Sequence, residues 1–209
     1  MRNAKIILII LSISIGLFSC KKEQKKSGEI IEVSKEFTID TSSIKMNWVA
    51  FKTTERVPVK GQFNKVDINK TSGVSVIDFL NDLKFSVPVS SIFTDNEERD
   101  VKLQKFFFGV MENTELLSGS ISITNDKVGV IHLNMNGITH ELPIQFKSNN
   151  NGVSIKGELN LDNWNSQNAV ESLNKACLDK ACLDLHAGDD GISKTWNTVL
   201  IDISFSELK

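Results

Sequence analysis

Apolar side chains recur at every second position along most of this chain from residue 44 onward. The first such segment places Ile44, Met46 and Trp48 in alternation with the polar residues Lys45 and Asn47. The same alternation follows in segments 57–63, 84–90, 117–124, 131–146, 153–161 and 199–205. A period of two indicates strands with one dry face and one wet face. Since parallel sheets are buried on both faces and need helical crossovers, the pattern predicts an antiparallel all-β fold.

The clearest local signal for a hairpin is the dipeptide Asn136-Gly137, which separates two alternating segments. Asn-Gly supplies the two positive φ angles of a type I′ turn. With weaker strand candidates near Phe37 and Ile77, we count about eight to ten strands joined by short polar turns, as in an up-and-down barrel or a sandwich. An interior of about eight strands is either a filled core or a space for one slender ligand.

Two segments break the period of two and are typical of helices. Residues 96–108 follow Thr94 and Asp95, either of which could cap a helix, and carry acidic residues in the first turn. Residues 166–185 carry apolar side chains at helical spacing and end before Gly188. We therefore expect one short helix after the fourth strand and one C-terminal helix before the last strand.

The first twenty residues have the order of an export signal. Arg2 and Lys5 precede an uncharged apolar run, residues 6–17, that is too short to span a bilayer. It closes on Leu17-Phe18-Ser19-Cys20, which resembles the lipobox of bacterial lipoproteins. We expect residues 1–19 to be a signal peptide, residues 20–35 an acylated Cys20 with a flexible tether, and residues 36–209 one domain. The protein would be anchored in the bacterial envelope, facing the periplasm.

Charge and motifs exclude several functional classes. The chain has 24 basic and 26 acidic residues, a net charge of −2, and so no electrostatic footprint for nucleic acid. It has neither a Gly-x-Ser-x-Gly nucleophile motif nor a phosphate-binding glycine loop. We therefore expect no catalytic residues and no enzymatic activity.

The cysteines and histidines give no strong metal or disulfide signal. Cys177 and Cys182 are five residues apart, so on a regular helix their Cα atoms would be roughly 8 Å apart, beyond disulfide reach. Either they are free thiols or the segment is not a regular helix. Spacing brings at most two of the potential ligands together, and we expect neither a metal nor a cofactor. A metal-dependent activity through Cys182 and His186 is the weaker alternative.

Several segments taken together resemble the YceI-like family of envelope proteins, in its lipoprotein branch. They are MNWVAFK (46–52) with VKGQF (59–63), NEERDVKL (96–103) with FFF (106–108), LNMNGITH (133–140) and LHAGDDG (185–191). Their order across residues 37–208 carries the resemblance. It implies a lipocalin-like barrel that binds polyisoprenoid chains. A tandem copy of KACLD, at 175–179 and 180–184, departs from the regular pattern.

Candidate site residues follow from inward parity and from the helix. The ligand-binding candidates are Trp48, Phe63, Phe85, Met135, Phe146, Phe106 and Phe107. Arg99 and Asp100 would either hold a lipid head group or form a structural ion pair.

Our first hypothesis is a non-catalytic carrier of a polyisoprenoid or other long-chain lipid. Each buried CH₂ group contributes about 0.8 kcal/mol, so ten would give roughly 8 kcal/mol before ordering costs. The alternative is a solid-core barrel that acts as a protein-interaction or stress-response module of the envelope, with the duplicated segment as its contact surface.

Overall fold

The computed structural model describes residues 36–149, 152–177 and 188–208. The three α-helices of these residues are α1 (Val76–Leu80), α2 (Glu97–Lys102) and α3 (Gln167–Ala176). The strands are β1 (Phe37–Thr38), β2 (Lys45–Lys52), β3 (Val57–Phe63), β4 (Asp67–Ile68), β5 (Ser72–Gly73), β6 (Lys84–Pro88), β7 (Ile92–Phe93), β8 (Leu116–Ile123), β9 (Val128–Met135), β10 (Ile138–Asn149), β11 (Gly152–Asn160) and β12 (Thr195–Phe205).

Ten of these strands form one sheet in the order β4-β6-β8-β9-β10-β11-β12-β2-β3-β7. Every pair in it is antiparallel. The eight inner strands are long, whereas β4 and β7 at the two edges have two residues each. The predicted antiparallel all-β fold is confirmed, and the ten strands of this sheet lie within the expected range of eight to ten.

The sheet curls until its two edges face each other. β3 lies next to one edge of the sheet, and β4 forms the other edge. The link between these two strands, residues 64–66, can span only about 10 Å. The backbone N–H of Asn64 donates to the carbonyl of Ser91, in the link between β6 and β7, at 2.9 Å. We call this junction the seam. It turns the sheet into a barrel, although no long strand pair crosses it.

The hairpin of β9 and β10 forms as predicted. Met135 pairs with Ile138, which leaves Asn136 and Gly137 as a two-residue turn with φ angles of 53° and 69°. Along β9 alternate residues are buried, as the period of two requires. The turn is also tied to its surroundings: the Glu112 N–H donates to Asn136 Oδ1, and Asn136 Nδ2 donates to the Trp164 carbonyl, both at 2.8 Å.

One end of the barrel, which we call the closed end, is filled by an aromatic cluster. Phe79 of α1 is fully buried between Phe37 and Phe205, with ring centroids 5.5 and 5.6 Å away. The strand expected near Ile77 is therefore wrong. Ser75 caps a helix there, since its Oγ accepts the Asp78 N–H at 3.1 Å, and that helix brings Phe79 and Leu80 over the barrel end.

The helix after β7 starts one residue later than expected. Asn96, rather than Thr94 or Asp95, caps α2, because Asn96 Oδ1 accepts the Arg99 N–H at 2.8 Å. Asp95 has a left-handed φ of 57°, whereas an N-cap needs an extended backbone. Beyond α2 the chain continues as a π-turn, Leu103–Phe107, and a 3₁₀ turn, Phe108–Val110.

The C-terminal helix is confirmed in position before β12. It spans Gln167–Ala176, and Cys177 follows as its cap. Residues 178–187, which include the second KACLD copy, Cys182 and His186, lie outside the described residues, and so do residues 1–35 with Cys20. Within the described ranges, no helix is both long enough and apolar enough to cross a membrane.

We expect Asn136→Ala to lower the free energy of unfolding by about 2–4 kcal/mol, because it removes the hydrogen bonds of the Asn136 side chain and puts alanine at a positive φ. Urea unfolding followed by circular dichroism would measure the change. Asn168→Ala, at an exposed position of α3, is the matched control and should change the free energy by less than about 0.5 kcal/mol. Equal stability of the two variants would contradict the role given to Asn136.

Candidate functional site

The barrel interior holds an apolar cavity of about 180 Å³. Its lining residues include Trp48 and Lys52 of β2, Leu133 and Met135 of β9, and Thr195 and Ile201 of β12. A smaller cavity of about 40 Å³ lies nearer the closed end, lined by Ile44, Phe79 and Phe205 among others. We call the opposite end, where Lys52 and Thr195 lie, the mouth.

Five of the seven predicted ligand-binding residues line the larger cavity: Trp48, Phe63, Phe85, Met135 and Phe107. The other two lie elsewhere. Phe146 is buried but pairs with Ile155 of β11, which borders the smaller cavity near the closed end. Phe106 lies outside the barrel in a surface depression beside Asn168 and Glu171 of α3. The alternation along a strand predicts which face of the sheet a side chain lies on, but not its height along the barrel axis.

Two helical segments contribute lining residues that parity on strands could not predict. Leu103 and Phe108 reach the cavity from the turns after α2, and Leu173 and Cys177 reach it from α3. The spacing of four between Leu173 and Cys177 was the available signal, because such residues share one face of a helix. Cys177 is buried.

Consecutive phenylalanines close part of the cavity wall. Phe107 and Phe108 are both buried, with ring centroids 4.9 Å apart and nearly perpendicular planes, and Phe63 contacts Phe108 edge-on at 6.4 Å. Consecutive side chains on a regular α-helix point about 100° apart, so one helical face would not bury both rings. Here the backbone changes from a π-turn to a 3₁₀ turn between Phe107 and Phe108, and both rings are buried.

Trp48 occupies the wall directly opposite a glycine. Its register partner on β3 is Gly61, and a Cβ atom built on Gly61 would overlap the indole ring. The ring therefore lies across the neighbouring strand instead of standing upright into the barrel. This arrangement leaves room in the cavity that an upright tryptophan would fill.

The mouth is rich in cations and aromatic rings. Lys194 lies 3.9 Å from the ring centroid of Trp196, and the guanidinium of Arg56 lies between Trp196 and Phe51 at 5.2 and 4.6 Å. Trp196 Nε1 donates to the Thr53 carbonyl at 2.8 Å. These contacts hold the turn between β2 and β3 against the start of β12.

A hydroxyl–carboxylate bond adds a second tie across the mouth. The Thr54 hydroxyl donates to Asp190 Oδ2 at 2.7 Å. This bond, together with the backbone N–H of Ile192, holds the pKa of Asp190 below its ordinary value. Asp190 is thus a charged acceptor that joins the 188–192 turn to the β2–β3 turn.

The side chains of Arg99 and Asp100 have different surroundings. Asp100 Oδ1 accepts the Thr94 hydroxyl at 2.6 Å. Arg99 lines the cavity, and its Nε atom is buried without a hydrogen-bond partner among the described residues. Trp48 Nε1, also on the cavity wall, is a second buried donor that lacks a partner in the described part of the chain.

The histidines that the structure describes have structural contacts. His132 Nε2 lies 3.0 Å from the Ser122 hydroxyl, and His140 packs edge-on against Trp164 at 5.3 Å. Across residues 36–149, 152–177 and 188–208, no cluster of three His, Cys, Asp or Glu residues could hold a metal ion. Among the described residues that line the cavity, none is a histidine or a carboxylate.

The interior is therefore not a filled core. A dry apolar cavity of about 150 Å³ can hold a benzene molecule, and the larger cavity here exceeds that size. The alternative hypothesis, a protein-interaction or stress-response module, assumed a solid core, and this interior contains a cavity instead. What the arrangement can do chemically is to remove a hydrocarbon from water.

A family model for the YceI-like domain matches residues 37–205. The fold is similar to that of a polyisoprenoid binding domain from Saccharophagus degradans implicated in plant cell wall breakdown, with a TM-score of 0.58 and 10% identity over 83% of this chain and 98% of that chain. It is also similar to a mutant YCEI protein of Campylobacter jejuni with a monobromobimane guest structure, with a TM-score of 0.50 and 16% identity over 72% and 85% of the two chains. No curated protein matches the sequence.

We expect Gly61→Ala to destabilise the fold by about 1–3 kcal/mol, because the new methyl group forces the Trp48 ring off its strand. Thermal unfolding would measure the loss, and tryptophan fluorescence would report the moved ring. The double variant Gly61→Ala with Trp48→Leu is the control, since without the indole the methyl group meets no ring. Additive losses in the double variant would contradict this packing.

Proposed function

This chain belongs to the YceI-like family, as its motifs predicted, and we propose that it is an envelope lipoprotein whose barrel binds a polyisoprenoid or related long-chain lipid. The observation that carries the proposal is the apolar cavity of about 180 Å³ inside the barrel. Its wall consists of leucine, isoleucine, valine, methionine and aromatic side chains, with polar groups confined to a few positions. The fold shared with a polyisoprenoid binding domain supports the same ligand class.

The size of the cavity sets how the ligand would sit. By comparison with benzene in about 150 Å³, the cavity holds roughly seven carbon atoms in this conformation. Seven buried CH₂ groups contribute roughly 6 kcal/mol, which corresponds to a dissociation constant near 0.1 mM before ordering costs. Tight binding of a longer tail therefore requires further space.

Two features supply that space. The smaller cavity, of about 40 Å³, shares Met46, Phe85 and Ile131 with the larger one, so a tail can extend towards the closed end. On the other side the wall consists of the turns Leu103–Phe107 and Phe108–Val110, which rest on α3 rather than in a strand ladder. We propose that these turns shift outward when a long tail enters.

We propose that the protein carries its ligand without altering it. General acid–base catalysis needs a histidine, carboxylate or similar group within reach of the substrate. The described lining residues offer only the Cys177 thiol and the hydroxyls of Ser193 and Thr195, besides the cations of the mouth. Ligand binding by burial needs none of these groups.

We further propose that acylation of Cys20 anchors the barrel to the membrane, on the periplasmic side. The support is the order of charged n-region, apolar run and cysteine in residues 1–20. Two or more acyl chains make such an anchor stable. The tether of residues 20–35 would then let the mouth approach the bilayer that supplies the ligand.

Native mass spectrometry of the delipidated protein, incubated with a fifteen-carbon isoprenoid alcohol, tests ligand binding. We expect one bound ligand, and we expect Leu133→Trp to weaken its affinity at least about ten-fold, because the indole would occupy the space of more than two buried CH₂ groups. Asn134→Trp, the neighbouring position on the outer face of β9, is the matched control and should bind as the wild type does. No mass shift with any long-chain lipid would contradict the proposed function.

The anchor has its own test. We expect Cys20→Ala to remove the acyl chains and to move the protein from the membrane fraction to the soluble fraction, because a single thioether-linked lipid group at Cys20 is the only attachment proposed. Intact-mass measurement and cell fractionation would show both changes. Cys182→Ala is the matched control, and membrane retention of the Cys20→Ala protein would argue against this anchor.

A further inference from the structure

Two exposed apolar side chains lie at the mouth on the strand side. Val57, which is 42% exposed, is the first residue of β3 and pairs with Lys52. Ile192, which is 51% exposed, comes two residues before Lys194. Both lysines line the larger cavity, whereas Val57 and Ile192 do not. The two apolar side chains are therefore exposed around the opening and not inside it.

Two more exposed apolar side chains lie on the helical side of the mouth. Val101 of α2 and Val110 of the 3₁₀ turn are 53% and 50% exposed, and neither lines the larger cavity. They flank residues 102–108, which supply four of the cavity-lining side chains. We call Val57, Val101, Val110 and Ile192 the rim. Apolar side chains gain free energy when they leave water, so the rim indicates a surface that a partner covers.

The charges around the rim are nearly balanced. Residues 51–57, 94–110 and 188–196 together contain six basic and seven acidic side chains. One of the acidic groups, Asp190, already accepts the Thr54 hydroxyl. A partner that is recognised through opposite charge, such as nucleic acid or a strongly acidic protein, would meet no favourable net field here. The rim therefore suits a partner that offers apolar contact.

On the basis of the proposed function, we propose that the rim docks on the surface of the lipid bilayer, with its side chains at the boundary between head groups and acyl chains. A bilayer covers side chains from four separate segments without matching their shape, whereas a protein partner needs a complementary surface. Tryptophan is enriched at this boundary, and Trp196 lies at the mouth with the cations of Arg56 and Lys194 over its ring.

The proposed anchor leaves enough chain for this orientation. Phe37, near the start of the described residues, belongs to the aromatic cluster of the closed end, so the tether joins the barrel at the end opposite to the rim. The longest strand, β10, has 12 residues and measures about 40 Å at most. Residues 20–35 can span up to about 55 Å. The chain can therefore run back along the barrel while the mouth faces the membrane that holds the acyl group.

The tether also makes a weak contact sufficient. A short flexible linker holds its two ends at an effective concentration in the millimolar range. A rim that binds lipid only at such concentrations is docked for much of the time on an anchored protein, yet it does not retain a chain without acyl groups on washed membranes. The fractionation expected of Cys20→Ala is therefore unchanged.

The closed end provides the comparison. It exposes Val74 and Ile77, at 72% and 43%, but both belong to the single segment around α1. Docking by this end would point the mouth away from the bilayer that supplies the ligand. Because the two ends expose apolar side chains of the same kind, equal substitutions at each end separate the rim from a general loss of surface hydrophobicity.

Vesicle flotation of residues 20–209 with Cys20→Ala, which contain the whole barrel and no acyl group, tests the docking. With phosphatidylcholine vesicles at millimolar lipid, we expect part of this parent chain to float. Adding Val57→Ser and Ile192→Ser should lower the partition coefficient at least about ten-fold, because two apolar side chains lose their burial in lipid. Raising the salt concentration about ten-fold should change it by less than about two-fold, since the charges are nearly balanced.

The matched control carries Val74→Ser and Ile77→Ser at the closed end and should float as the parent chain does. Thermal unfolding of each variant checks that it is folded. The rate of ligand uptake gives a second readout with the acylated protein. We expect the rim variant to take up farnesol from vesicles at least about five-fold more slowly, while its affinity for farnesol in solution is unchanged, because neither substituted residue lines the cavity.

The outcomes separate the docking from the proposed function. Equal flotation of the rim variant and the parent chain would overturn the docking and leave the carrier standing. No flotation of the parent chain would also overturn it, and a protein would then be the remaining partner for the rim. Loss of flotation in the closed-end variant alone would assign the bilayer contact to the other end. Flotation that depends on the rim, without farnesol binding in solution, would support the docking and overturn the carrier.

Discussion

The architecture depends on closing one antiparallel sheet around a single apolar interior. Each long strand contributes every second side chain to that interior, and the three-residue links on either side of the seam force the first and last parts of the sheet together. Because eight long strands enclose slightly more volume than their own side chains fill, closure leaves a cavity as well as a core. The site is thus a result of the number and register of the strands.

The two ends of the barrel show how this interior becomes directional. At the closed end, Phe37, Phe79 and Phe205 pack ring against ring and leave about 40 Å³. At the mouth the wall consists of helical turns, cations and the rings of Trp196 and Phe51. The deep part of the barrel therefore offers only apolar contacts, whereas the mouth also offers charged side chains.

The strands, the Asn136-Gly137 turn and the inner face of each strand could be predicted from the sequence, because the period of two and the turn chemistry are local properties. The height of a residue along the barrel could not. Phe146 and Met135 share inward parity, yet only Met135 borders the larger cavity, because the stagger between strands decides which layer each one reaches. Phe106 lies outside the barrel and Phe107 lines the cavity because of the π-turn that contains them, and no pattern in the sequence indicated that turn.

The seam makes the wall of this barrel uneven in stiffness. Opposite it, β9, β10 and β11 are joined by long continuous ladders, whereas β3 with β7 and β4 with β6 are paired over two residues each. Local opening follows the weakest hydrogen-bonded contacts of a fold, so we expect the barrel to open along the seam before it unfolds elsewhere. The circumference of the barrel would then change at the seam, while the strands joined by long ladders keep their positions.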